Sequence, residues 1–201
     1  MTRQPSLWDE KRRENPGHSQ WYIERFEALA AAGEDLVGEA RLADAMAPRG
    51  GRILDAGCGF GRHAAWLHEQ GHRVVGVDGD EELIADALAK RPGPTFLVQD
   101  LTELDLSAEG VDEPFDVILC AGNVLAFLAP STRTEALRRL GEHLADRGRL
   151  VVGFGLDRGY SLADFLADVP VAGLVAHSLH STWELHPPAD DYLVAILGRD
   201  A

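Results

Sequence analysis

Residues 53–63, ILDAGCGFGRH, decide the fold, and they raise the question of what the loop they form can hold. An apolar run ends at Asp55, and glycines then follow at positions 57, 59 and 61. Glycine permits positive φ angles and lets the backbone approach a ligand that a side chain would block. Such a loop, placed between a strand and a helix, is typical of the first turn of a doubly wound α/β sheet, where ligands bind beyond the carboxyl ends of the strands.

Strand and helix patterns alternate on the C-terminal side of this loop. Short apolar runs separated by helical patterns predict a parallel sheet that is covered on both faces. In the last of these helices Thr132 and Glu135 have the spacing of a capping box. The pattern predicts strands over 52–56, 73–78, 95–99, 115–121 and 149–155, with helices over 62–70, 80–90 and 131–145.

The C-terminal end has a different pattern. After a short predicted helix over 161–167, the segment 174–185 alternates, with Val175, Leu179, Trp183 and Leu185 on one face. The connection PPADD then leads to an apolar strand over 192–198. A parallel pair needs a crossover of about a dozen residues, so these two strands must be antiparallel neighbours. We therefore predict a mostly parallel sheet with an antiparallel last strand.

The N-terminal part precedes the first strand. Residues 1–18 are polar and contain two prolines, which predicts an irregular arm unless it packs on something. Apolar residues at helical spacing predict one helix from Ser19 and a second over 35–47. The 201 residues are expected to form a single domain, 1–201, in which 1–47 is an arm with a helical lid and 48–201 is the core.

Composition limits the function. Asp and Glu number 33 against 19 Lys and Arg, a net charge of -14, which disfavours nucleic acid and anionic membranes as partners. Cys58 and Cys120 lie in no metal-ligand spacing, so we expect reduced thiols and no metal. No stretch resembles a signal peptide or approaches the ~20 apolar residues that cross a bilayer. The expectation is a soluble cytoplasmic protein, either a monomer or a homodimer.

Two cofactor classes compete for the glycine loop. The dinucleotide fingerprint G-x-G-x-x-G would need glycine at 62, where this chain has Arg62. Asp55 would repel a pyrophosphate, whereas it favours a ligand with ammonium and sulfonium cations. Asp78, at the end of the second strand, supports a ribose in either class. Asp100 and the Leu101 N–H could bind adenine, although Asp78 or Asp80 could instead cap a helix and Asp100 could shape a turn.

These residues resemble the class I S-adenosylmethionine-dependent methyltransferases over about 35–199. ILDAGCGFGR looks like the glycine loop of that family, VVGVDGD its ribose site, FLVQDL its adenine site and FDVILCAGNVLAFL its fourth strand. The resemblance implies a Rossmann-like, doubly wound sheet of seven strands. It also implies that Gly57 and Cys58 lie along the methionine, and that the Ala121 backbone faces its amine. The predicted cofactor-binding residues are Asp55, Gly57, Cys58, Gly59, Arg62, Asp78, Gly79, Asp100, Leu101 and Ala121, with Trp21, Tyr22 and Arg25 from the lid.

The lid residues have two interpretations. Trp21 and Tyr22 could pack on the body of the domain, with Arg25 a solvated helix charge. Alternatively the aromatic rings could lie near the sulfonium, while Arg25 or Arg62 pairs with the methionine carboxylate.

Methyl transfer from S-adenosylmethionine needs little covalent catalysis by the protein, because the sulfonium already activates the methyl group. Alignment of the reactants in a site closed to water supplies the acceleration. No catalytic residue is therefore assigned. Family members that methylate exocyclic or amide nitrogens typically have Asn or Asp before Pro-Pro-aromatic, whereas Asn123 is followed by VLAF. The resemblance therefore implies a small-molecule N or O acceptor. Two alternatives stay open: a non-catalytic binding protein for S-adenosylmethionine or S-adenosylhomocysteine, and a nicotinamide-dependent oxidoreductase.

Overall fold

The computed structural model describes residues 4–199. Three helices precede the first strand, and strands and helices alternate after it. The helices are α1 Leu7–Glu14, α2 His18–Ala31, α3 Gly38–Met46, α4 Arg62–Glu69, α5 Glu81–Lys90, α6 Val124–Phe127, α7 Arg133–Glu142 and α8 Leu162–Val171. The strands are β1 Arg52–Ala56, β2 Arg73–Asp78, β3 Thr95–Val98, β4 Phe115–Cys120, β5 Leu144–Gly155, β6 Leu174–His180 and β7 Tyr192–Arg199.

The seven strands form one sheet in the order β3-β2-β1-β4-β5-β7-β6. Strands β1 to β5 pair in parallel, and β7 runs antiparallel to both of its neighbours, β5 and β6. The strand order reverses between β1 and β4, which is where a doubly wound sheet forms its ligand crevice. The predicted α/β, Rossmann-like fold with an antiparallel last strand is confirmed.

Apolar side chains cover both faces of the sheet. One face, which includes Leu54 and Ile118, packs with α7 and α8, and the other, which includes Ile53 and Val117, packs with α3 and α4. These central strand residues are fully buried because helices lie on both sides. A third, small cluster joins the N-terminal helices to the core through Ile23, Phe60 and Leu83, with partly buried rings from Trp8, Tyr22 and Phe26 packed against it.

The arm predicted to be irregular contains α1. Ser6 and Asp9 form a capping box, in which Asp9 N–H donates to Ser6 Oγ at 3.1 Å and Ser6 N–H donates to Asp9 Oδ2 at 2.8 Å. Trp8 packs edge-on against Tyr22 of α2, with ring centroids 5.3 Å apart. The capping box and this packing together explain why the segment is helical. The two predicted helices follow as α2 and α3.

Three details of the C-terminal half differ from the prediction. Strand β6 ends at His180 rather than at 185, and a bulge between Ala176 and Ser178 shifts its register. Strand β5 begins at Leu144 rather than at 149, inside the segment that was predicted as the end of the helix over 131–145. The predicted capping box at Thr132 is absent, because the Thr132 hydroxyl donates to the Ala129 carbonyl instead.

A membrane-spanning helix would need a long apolar stretch. Between residues 4 and 199, no helix is long and apolar enough to cross a bilayer.

Candidate functional site

A cleft of about 820 Å³ opens at the carboxyl ends of β1 to β4, beneath α1 and α2. The loops after the strands supply one side of the cleft, and the N-terminal segment supplies the other. The lining residues are Ser6, Trp8, Asp9, Tyr22, Gly57, Gly59, Asp78, Gly79, Asp80, Leu83, Asp100, Leu101, Ala121, Gly122, Val124, Phe127 and Leu128.

The glycine loop after β1 is fixed to the end of β2. The N–H groups of Gly57 and Cys58 both donate to the Val77 carbonyl, at 2.8 and 2.9 Å. Gly57 has φ +78°, and a Cβ added there would lie 2.4 Å from Cγ2 of Val124. Glycine is therefore required at 57 both by the left-handed backbone and by the close approach of α6.

Asp78 closes β2 beside this loop. Its Oδ2 accepts the Gly59 N–H at 2.8 Å, and its Oδ1 accepts the Asp80 N–H at 2.9 Å. Burial raises the pKa of Asp78 to about 6, although these two N–H groups favour the charged form. The result is a fixed acceptor group in the cleft whose charge changes near neutral pH.

Asp100 and Leu101 follow β3 and also line the cleft. Asp100 Oδ1 accepts the Thr102 N–H at 2.8 Å and the Thr102 hydroxyl at 2.7 Å. The carboxylate therefore shapes its own turn, as the alternative interpretation required, and at the same time faces the cleft. The Leu101 side chain is buried.

The loop after β4 forms the next wall. Asn123 has φ +69°, and its Oδ1 accepts the Gly155 N–H at 2.7 Å, which ties this turn to the end of β5. Asn123 is thus a turn residue. Ala121 and the apolar side chains of α6 face the cleft on the other side of the turn.

Eight of the thirteen predicted site residues line this cleft together. They are Tyr22, Gly57, Gly59, Asp78, Gly79, Asp100, Leu101 and Ala121. The other five are Trp21, Arg25, Asp55, Cys58 and Arg62, which are absent from the lining.

Two of those five lie beneath the glycine loop. Asp55 is 1% exposed, and its Oδ2 accepts the Ala64 N–H at 3.0 Å, so it caps the start of α4. Cys58 is also buried, with its Sγ 3.5 Å from the Gly59 carbonyl oxygen, and burial raises the pKa of its thiol well above the usual value. Both residues shape the loop from below.

The remaining three lie outside the cleft. The Arg62 guanidinium contacts the Leu36 carbonyl and Glu39, and it stacks over Phe26 with 5.0 Å to the ring centroid. Trp21 is 47% exposed, and Arg25 lies over its ring, with the guanidinium carbon 5.6 Å from the ring centroid. Both arginines have these partners in the structure, and their pairing with a ligand carboxylate stays a prediction.

Several lining residues were not predicted from the sequence. Trp8 and its neighbours in α1 were missed because the arm is polar, and the Ser6–Asp9 capping-box spacing was the signal that could have found the helix. Asp80 was considered only as a helix cap, a role it does have, since its Oδ1 accepts the Glu82 N–H at 2.9 Å. The apolar run after Asn123 could have indicated the wall formed by α6.

Metal ligands are arranged in groups of at least three donors. Among residues 4–199, no group of three or more His, Cys, Asp or Glu side chains is placed to hold a metal ion.

Comparisons with known proteins agree with this geometry. A family model described as a methyltransferase domain matches residues 53–148. A crystal structure of a TehB-like S-adenosylmethionine-dependent methyltransferase from Corynebacterium glutamicum is 43% identical, covers 92% of this chain and 100% of its own, and superposes with a TM-score of 0.87. Magnesium protoporphyrin IX methyltransferase from Synechocystis, solved with bound S-adenosylmethionine, has 23% identity, covers 92% of this chain and 81% of its own, and has a TM-score of 0.58.

The curated relatives are matched over shorter segments. The Bacillus subtilis protein YqeM, classed as a methyltransferase, is 30% identical over 129 residues, which are 62% of this chain and 50% of YqeM. The chain spans half or less of the length of each curated relative it matches.

The fold, the cleft and the 43% identical full-length relative together define the class of protein. The chain belongs to the class I S-adenosylmethionine-dependent methyltransferases.

Proposed function

We propose that this protein transfers a methyl group from S-adenosylmethionine to a nitrogen or oxygen atom of a small molecule. The observation that carries the proposal is the cleft in which Asp78, held by the Gly59 and Asp80 N–H groups, stands beside a glycine loop without obstructing side chains.

The residues of the cleft fit the cofactor. The Asp78 carboxylate would accept hydrogen bonds from the hydroxyls of a ribose, and Asp100 with Leu101 would bind the adenine at the next strand end. Gly57 and Gly59 lack the Cβ that would narrow the cleft at the methionine end. Leu83 and Leu128 line the same cleft and would supply apolar contact for the base.

The cofactor supplies an activated methyl group, so the protein must bind, orient and exclude water. Trp8 and Tyr22 line the cleft from the N-terminal side, where their rings would limit the access of water to a bound cofactor. The loops hold the hydrogen-bond acceptors of the cleft in place, since each of the two Asp78 carboxylate oxygens already accepts a backbone N–H. Such fixed orientation is the contribution that the reaction requires of the protein.

Charge supports the choice of acceptor class. The lining contains four carboxylates, Asp9, Asp78, Asp80 and Asp100, and no Lys or Arg. A negative lining favours neutral or cationic acceptors over anionic ones. KedS8, a sugar N-methyltransferase from Streptoalloteichus, shares the fold at 18% identity and a TM-score of 0.66, and the sugar substrate in its name supports the proposal of a small-molecule acceptor.

Two measurements test the proposal. Isothermal calorimetry with S-adenosylmethionine, S-adenosylhomocysteine and NAD should show binding of the first two only. Turnover should then be measured as S-adenosylhomocysteine release with a panel of small amines, amino sugars, phenols and carboxylic acids. Binding without turnover on any acceptor would favour a non-catalytic binding protein, and binding of NAD alone would overturn the proposal.

A further inference from the structure

The N-terminal strap, residues 4–14, crosses the mouth of the cleft. At one end, Gln4 Oε1 accepts a hydrogen bond of 2.6 Å from the hydroxyl of Ser131, which lies just beyond the α6 wall. At the other end, Arg12 pairs with Asp80 at the start of α5. Between these two attachments, Ser6, Trp8 and Asp9 line the cleft. The strap therefore spans the opening from the β4 side to the β2 side.

Asp80 is the main anchor of the strap. It is fully buried, and its Oδ2 accepts hydrogen bonds from Trp8 Nε1 at 2.8 Å and from the Ser19 hydroxyl at 2.5 Å, with Arg12 Nε at 3.3 Å. Its other oxygen caps α5. A buried carboxylate needs such partners, because a charge left without them is strongly destabilising. One side chain thus fixes α1, α2 and α5 to each other.

The contact between Asp80 and Trp8 also affects ligand binding, because it fixes where the Trp8 ring lies in the cleft. Its indole is held by Asp80, two residues beyond the Asp78 carboxylate, and it lines the same cleft. A flat aromatic ring at the nucleoside end can pack on a base or ribose. Because the strap is attached on both sides of the cleft, we expect a ligand to enter and leave when the strap is displaced.

We propose that Trp8 is a cofactor-contacting residue, and that Asp80 is the positioning residue that holds Trp8 over the bound cofactor. This inference rests on the proposed function, since it concerns the same cleft. The cofactor then leaves only after the contacts of Asp80 with the strap have broken, so these contacts set the dissociation rate.

The experiment uses the full chain with S-adenosylhomocysteine as the probe. Stopped-flow kinetics would give association and dissociation rate constants for the wild type, Trp8→Ala, Trp8→Phe and Asp80→Asn. Trp8→Phe keeps a ring and loses the Nε1 donor, and Asp80→Asn can still cap α5 while presenting a donor to the strap. Trp21→Phe is the matched control, because Trp21 lies on the neighbouring helix outside the cleft.

The expected result is faster dissociation without slower association. Trp8→Ala and Asp80→Asn should raise the dissociation rate constant by about tenfold or more, which corresponds to the loss of one good contact. Trp8→Phe should have a smaller effect, and Trp21→Phe should have none. A general loss of folding would lower the association rate instead, and thermal unfolding without ligand would detect it.

A second measurement does not depend on any variant. Hydrogen exchange of amides in residues 7–14 of the wild type should slow when S-adenosylhomocysteine binds. Unchanged exchange there, or dissociation rates of Trp8→Ala and Asp80→Asn equal to that of Trp21→Phe, would overturn the inference while leaving the proposed function intact. Failure of the wild type to bind the probe would overturn the proposed function and this inference together.

Discussion

The two sides of the cleft are built by different means. The floor, formed by the loops after β1 to β4, is held at the strand ends by backbone N–H groups, which donate to carbonyls such as that of Val77 and to side chains such as Asp78 and Asn123. The roof, formed by α1 and α2, is held by side chains that meet across long stretches of sequence, such as Trp8 and Asp80, 72 positions apart. Floor residues are therefore constrained by φ and by close approach, whereas roof residues are constrained by their hydrogen-bonding partners.

This difference predicts how substitutions should act. A change in the floor should damage the fold and the site together, because the same backbone serves both. A change on the side of α1 or α2 that points away from the cleft should leave the fold and the site intact.

The largest effect is expected for Gly57→Ala. The left-handed φ costs about 1–2 kcal/mol for a residue with a Cβ, and contact with Val124 adds about 1–3 kcal/mol. Denaturant unfolding should show a loss of about 2–5 kcal/mol, and calorimetry should show no measurable S-adenosylhomocysteine binding. The control is Gly173→Ala, which has φ +75° and no atom within 4 Å of the added Cβ. Equal losses for the two variants would show that α6 does not press on the loop.

The second effect concerns Arg133, which supports the α6 wall from behind. Its buried guanidinium donates to the carbonyls of Leu128, Gly159 and Ala126 at 2.8–3.2 Å. Arg133→Lys cannot reach all three, and unpaired buried carbonyls should destabilise the protein by about 2–3 kcal/mol in urea unfolding. Arg138→Lys, on the exposed side of the same helix, should unfold like the wild type. A stable Arg133→Lys protein would show that the wall is held by apolar packing alone.

The third effect is a pH dependence of cofactor affinity. Burial raises the pKa of Asp78 to about 6, so the carboxylate loses its charge as the pH falls through that value. If the cofactor binds the ionised form, affinity for S-adenosylhomocysteine should fall about tenfold between pH 7 and pH 5. Calorimetry at several pH values would measure this, and Asp78→Asn should remove the dependence. The same slope in both proteins would assign the titration to another group.

Ionisation of Asp78 affects the folding stability and the cofactor affinity in opposite directions. The pKa of Asp78 is higher in the folded protein than its ordinary value of 3.8, so the folded state binds more protons between pH 4 and pH 6. The contribution of Asp78 to folding stability therefore decreases as the pH rises through this window. The charge that favours the ligand is thus a cost to the unliganded fold.

The smallest effect is expected for Arg25→Ala. Arg25 lies over the ring of Trp21, and neither residue lines the cleft. Calorimetry should give an S-adenosylhomocysteine affinity within about twofold of the wild type, well below the tenfold that a lost charge-assisted contact would produce. A loss of tenfold or more would mean that α2 rearranges to bring Arg25 to the cofactor.

The same comparison explains what could be predicted from the sequence. Strand ends, glycine positions and the acids Asp78 and Asp100 are local features with a fixed geometric meaning in a parallel sheet, so the floor was predictable. The position of Trp8 depends on a pairing with Asp80 that no periodicity reveals. Arg62 and Asp55 have the residue types expected of ligands, yet contacts with Glu39 and with the Ala64 N–H occupy them elsewhere.

The buried thiol of Cys58 has a chemical consequence for an enzyme that handles an alkylating cofactor. A thiolate is the most nucleophilic side chain a protein offers, and next to an activated methyl group it would be a target for self-modification. Burial beneath the glycine loop, together with the nearby carboxylates Asp55 and Asp78, raises the pKa of Cys58 and keeps its sulfur protonated. A buried, protonated thiol is a weak nucleophile, so we expect that Cys58 does not compete with the acceptor for the methyl group.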